Sequence, residues 1–137
     1  VSVWESKGHE KLKIMVFTNE ELSAILRLAH AMANADGKIT KEETGMIFLE
    51  LHRFGVDQAK AKLLAEIGDK MSYAEACQIV SRMTTQEKRY VTAYLGTLIC
   101  ADGDINDSEL KLWSLITALC DLPQMSIGEA IQIMANL

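Results

Sequence analysis

Six times from Thr18 onward, a Ser, Thr or Asn is followed three residues later by Glu: Thr18/Glu21, Thr40/Glu43, Ser72/Glu75, Thr84/Glu87, Asn106/Glu109 and Ser126/Glu129. The first turn of a helix leaves backbone N–H groups unpaired. Such a pair can satisfy two of them, the cap oxygen taking the N3 amide and the Glu reaching back to the cap amide. A chain punctuated in this way is committed to helices. A seventh start follows Gly55, where Asp57 can cap a short helix that Gly68 ends, and Pro123 separates the last two helices. The pattern predicts helices over 19–35, 41–54, 58–67, 73–83, 85–101, 107–121 and 127–136. The connections between them are short, so an all-α, compact bundle of about seven helices is expected.

The second constraint is a repeat. Ala35-Asp36-Gly37 with Ile39 and Glu43 recurs as Ala101-Asp102-Gly103 with Ile105 and Glu109, each residue 66 positions on. The same offset carries Thr18 to Thr84 and Glu21 to Glu87. The unit is therefore a duplicated helix–Asp-Gly loop–helix, spanning 18–54 and 84–120. In the first helix Leu22, Ile25, Leu26, Ala29, Met32 and Ala33 form one apolar stripe at three- and four-residue spacing. The fifth helix matches it with Val91, Tyr94, Leu95, Leu98 and Ile99, and its small residues Ala93, Gly96, Thr97 and Cys100 let a neighbour come close. Both helices are expected at the centre, related by an approximate two-fold, with the shorter helices packed around them. Residues 18–137 then make one domain. The stretch 1–17 is a separate N-terminal segment, strand-like or poorly ordered, with polar and apolar residues alternating from Lys11 to Val16.

Composition removes several functions. A formal charge of −5 without clustered Lys and Arg argues against a nucleic-acid surface. Lys60/Lys62 and Lys88/Arg89 read as solvated helix faces. No apolar stretch reaches the roughly eighteen residues that span a bilayer. Cys77, Cys100 and Cys120 lie in apolar helical runs without metal-knuckle spacing and read as small buried hydrophobes in a reduced, cytoplasmic setting. His9, His30 and His52 are too far apart for a catalytic or metal spacing, with His30 a helix-surface or partly buried residue. No phosphate loop, nucleophile elbow or Cys with a nearby base is present, so no catalytic set and no organic cofactor are expected.

The Asp-Gly loops remain as chemistry. Laid on a calcium-binding EF-hand with Gly37 at the sixth position, Asp36, Ile39 and Glu43 fall correctly, but the first and third positions become Met32 and Asn34, and Leu98 and Cys100 in the second copy. The entering carboxylates are absent, and neither loop alone supplies the six to eight oxygens calcium prefers. A standard EF-hand is excluded.

The paired Ala-Asp-Gly-x-Ile-x-x-x-Glu motifs, Ala35 to Glu43 and Ala101 to Glu109, resemble those of the tellurite-resistance TerB-like domains, and the resemblance covers most of residues 18–137. It implies a bacterial, mainly cytoplasmic helical module that binds a metal through acidic residues and acts in stress-response or membrane-associated assemblies. The positions carried over are Asp36, Glu43, Asp102 and Glu109, and Asp104 adds a further carboxylate to the second loop. Lys38 and Thr40 answer to Asp104 and Asn106, so the first loop is less acidic. Oxygen donors without His or Cys favour a hard divalent cation, calcium or magnesium, over zinc.

Three readings follow. In the first, a non-enzymatic module binds a divalent cation weakly and docks a protein partner. In the second, the loops are only capped turns, with Gly37 and Gly103 taking the positive φ that ends a helix, and an apolar groove recognises a partner helix. In the third, a carboxylate-bound metal serves a hydrolase, which needs a concave pocket around Asp36 and Asp102.

Overall fold

In the computed structural model, which describes residues 16–35, 37, 40–101, 103 and 105–137, each of the seven predicted caps opens a helix. The helices are α1 Asn19–Ala33, α2 Lys41–Arg53, α3 Gln58–Asp69, α4 Tyr73–Ser81, α5 Thr85–Ile99, α6 Asp107–Leu119 and α7 Ile127–Ala135. Reciprocal capping boxes close at Thr18, Thr40, Ser72, Thr84 and Ser126. At α6 the Asn106 side chain accepts from both Ser108 N (2.8 Å) and Glu109 N (3.2 Å). Hydrogen bonds from the cap serines hold the Glu75 and Glu129 carboxyls below the usual range, so these caps stay ionised. Most predicted helices run one to two residues too far, and α3 two too short, because the last turn gives way to a C-cap such as Asn34 or Cys100. No strand occurs among the described residues. The expected strand-like segment falls, up to Met15, outside them.

Two helices make the centre. α5 is buried from Tyr90 through Ile99 without interruption, the pattern of a helix enclosed on all sides. Its Thr92 and Thr97 hydroxyls turn back on Lys88 O and Tyr94 O at 2.8 Å, so burial leaves neither without a partner. α1 packs against α5 and buries Leu22, Ala24, Ile25, Leu28, Ala29, Met32 and Ala33. α3 and α4 cover α1, α7 and α6 cover α5, and α2 leans more lightly on α1. Phe17, just ahead of the first cap, belongs to the core: its ring meets Phe54 at 5.3 Å and Tyr90 at 5.9 Å.

Gly96 sets how closely α6 and α7 approach α5. A methyl built on it would stand 2.6 Å from Trp113 Cζ2 and 3.0 Å from Ala130 Cβ. The indole packs beside the glycine, and its N–H donates to Thr92 O at 3.1 Å. Cys77 and Cys120 are buried, as expected, and Cys100 is half-buried. Burial and the neighbouring Cys77 push the Cys120 thiol well above its ordinary value. Among the described residues no helix is long and apolar enough to cross a membrane.

Candidate functional site

The two loops after α1 and α5 are built alike. Gly37 N donates to Asn34 O (3.0 Å) and Gly103 N to Cys100 O (3.1 Å), closing the same turn 66 residues apart. The glycines sit at φ +86° and +88°, where an L side chain is strained. Each chain segment then enters the next helix and places a glutamate at its third position. Glu43 is 4% exposed and Glu109 is 3% exposed. Glu43 Oε1 accepts from Thr40 N (2.9 Å) and Thr40 Oγ1 (3.1 Å).

Of the five predicted site residues, Glu43 and Glu109 are among those described, on the first turns of α2 and α6. Asp36, Asp102 and Asp104 lie outside the described residues, as do Lys38 and Ile39. Among the described residues no three His, Cys, Asp or Glu side chains converge into a metal-holding group. A carboxylate shut from water needs hydrogen bonds or a counter-charge, and Glu43 and Glu109 both carry this requirement at the mouth of an Asp-Gly loop. His30 is exposed on α1, as expected, and Lys88 of the basic pair is taken up by Asp121 at 3.1 Å.

Two features escaped the sequence reading. The first is Glu50, which is buried on α2 and held by the Tyr90 hydroxyl and by Arg53 at 3.1 Å. Tyr90 stacks with Tyr94, ring centroids 6.1 Å apart. Burial, then the charge of Glu50, raises both phenols far above their ordinary value. Glu50 lies on the same helix face as Ile47 and Phe54, a position where the spacing itself signals burial. The second is the position of the apolar groove that the second reading expects: a cleft of about 190 Å³ between α1, α2 and α3, walled by Leu26, Ile47, Phe48 and Leu51 and rimmed by Arg27 and Asp69.

The family model described as tellurite resistance protein TerB matches residues 22–134. The crystal structure of a protein of unknown function from Porphyromonas gingivalis W83 is 44% identical to this chain, with a TM-score of 0.79 over 90% of this chain and 100% of that one. No curated protein matches.

Proposed function

The chain belongs to the TerB family, and from that premise we propose that it is a non-enzymatic module whose Asp-Gly loops hold a hard divalent cation and whose helical surface docks a protein partner. The observation that carries the reading is the pair of buried glutamates, 4% and 3% exposed, at matching positions beside loops closed by glycines of nearly equal φ. Asp36, Glu43, Asp102, Asp104 and Glu109 would supply the oxygens, with calcium or magnesium favoured over zinc. When bound, the cation neutralises carboxylates that the fold has withdrawn from water. Thr40 orients Glu43 through two hydrogen bonds to Oε1.

The loop and the docking surface share an element. α2 starts at the first loop with Glu43 and carries Thr44, Ile47, Phe48 and Leu51 along one wall of the cleft. Fixing its first turn fixes that wall, so cation occupancy and partner binding are coupled. The setting is a bacterial, cytoplasmic stress response of the tellurite-resistance kind.

A second reading is favoured by the complete Thr40–Glu43 capping box, in which the loops only terminate and start helices. Amide chemical shifts followed during calcium and magnesium titrations of chelator-treated protein separate the two. The cation reading predicts saturable shifts confined to Gly37, Glu43, Gly103 and Glu109 and their neighbours. Unmoved amides at millimolar ion would leave capping as the whole role of the motif.

A further inference from the structure

The cleft between α1, α2 and α3 has a counterpart inside the same chain. Adding 66 carries Ile47 to Trp113, Leu26 to Thr92, His30 to Gly96 and Leu64 to Ala130. The correspondence extends to burial: Leu64 and Ala130 are both fully buried, while Ala61 and Ile127 are both half-buried. In the second half a larger side chain stands at the corresponding place. The Trp113 indole and Ala130 both close on Gly96 there, the indole N–H donating to Thr92 O. In the first half the same place holds the shorter Ile47, and about 190 Å³ stands open. Ala61 and Ala65 line it where the second half has Ile127 and Ile131. The larger residues of the first half do not fill the gap. His30 is exposed, Phe48 is 58% exposed at the lip, and Arg27 is turned over the Tyr73 ring at 4.4 Å.

We infer that this cleft is the docking pocket for an indole-sized aromatic side chain of a protein partner, taking from outside what Trp113 supplies from within in the second half. The volume suits a single aromatic ring. It exceeds the roughly 150 Å³ cavity that admits a benzene ring, yet falls short of the roughly 300–1,000 Å³ of sites that enclose a free drug-sized ligand. A single aromatic anchor in a desolvated pocket is how protein interfaces concentrate their affinity.

This inference rests on the protein-docking half of the proposed function; none of the loop carboxylates lines the cleft, so the ring binds in chelator and the cation only tightens it. The test is an amide chemical-shift titration of the full chain in chelator with N-acetyl-L-tryptophanamide, with N-acetylglycinamide and free indole as comparisons. Saturable shifts at Leu26, Thr44, Ile47 and Gly68, absent with N-acetylglycinamide, are expected. Ala65→Phe places a ring into the cleft from an exposed position, and Ile47→Trp installs the filler of the second half. Each should weaken the tryptophanamide by about tenfold or more, equivalent to about 1.4 kcal/mol. Ala65→Phe leaves the buried core untouched and decides the matter if Ile47→Trp does not fold. No saturable shift in the parent, or equal affinity in the folded variants, would overturn the inference. So would binding of free indole with exclusion of the tryptophanamide, since the pocket would then admit no peptide-borne ring. A failed calcium titration beside a successful tryptophanamide one would sink the cation reading alone.

Discussion

Replacing Gly96 by Ala sets two effects of opposite sign against each other. In a helix interior the change favours folding by about 1 kcal/mol, because glycine loses more backbone freedom. Here the added methyl would stand 2.6 Å from Trp113 Cζ2, 3.1 Å from Trp113 Cε2 and 3.0 Å from Ala130 Cβ. Neither neighbour can yield. Trp113 is 6% exposed and tied to Thr92 O, and Ala130 is fully buried with no rotamer to change. Relief requires moving α6 or α7 off α5, and overpacking of this kind costs about 1–3 kcal/mol. The severity of the contact puts it near the upper end, so Gly96→Ala should destabilise by about 2 kcal/mol. With a urea dependence of about 2 kcal/mol/M, the unfolding midpoint falls by about 1 M. In a Trp113→Phe background the 2.6 Å contact is relieved and the 3.0 Å approach to Ala130 Cβ remains, so the penalty of the same substitution should shrink by about 1 kcal/mol or more. A neutral or stabilising Gly96→Ala in the parent, or an equal penalty in both backgrounds, would refute the claim that Trp113 fills the space beside this glycine.

Tyr90→Phe removes the hydroxyl that donates to buried Glu50, leaving the carboxylate with Arg53. A thermal melt should register a loss of about 2 kcal/mol, as for other hydrogen bonds to charged groups, and an unchanged melting temperature would speak against that pairing. The buried phenols of Tyr90 and Tyr94 also predict an alkaline limit. Their folded values are raised, so their contribution is present in full below the ordinary value of 10.0 and is lost as pH climbs above it. Above that point the stability measured in urea should fall by about 1.4 kcal/mol per pH unit for each tyrosine. A curve flat between about pH 10 and 12 would show that the phenols ionise in place. Gly103→Ala forces a side chain into φ +88° and should cost about 1–2 kcal/mol, with any smaller loss in a denaturation curve pointing to a relaxed turn.

How much of this was legible in the sequence depended on the range of the interaction involved. Helix starts were read to the residue, because a Thr or Ser cap and its N3 Glu meet within one turn. Helix ends fall one to two residues short of their predicted positions at Asn34 and Cys100, which leave the helix through turns that compete with another i→i−4 bond. The central place of α1 and α5 followed from their apolar stripes and small residues. Glu50 did not declare itself, because a charged residue in an amphipathic helix ordinarily faces water. Its partner Tyr90 lies forty residues away. Glu43 and Glu109 were identified as motif residues, yet their burial arises from tertiary packing that no local rule supplies. The contrast between Ile47 and Trp113 was written in the repeat from the start. Only the packing of α6 and α7 on Gly96 gives it the meaning of one filled cleft and one open cleft.

The central claim, that the Asp-Gly loops form a cation site, is tested most directly by calorimetric titration of chelator-treated protein with calcium and then magnesium. The same titration is run on the Asp36→Asn/Asp102→Asn variant. Saturable binding in the parent, lost in a variant that melts within about 1 kcal/mol of it, is the predicted result. Equal heats in the two proteins, or no saturable heat and no thermal stabilisation of the parent at millimolar ion, would contradict it.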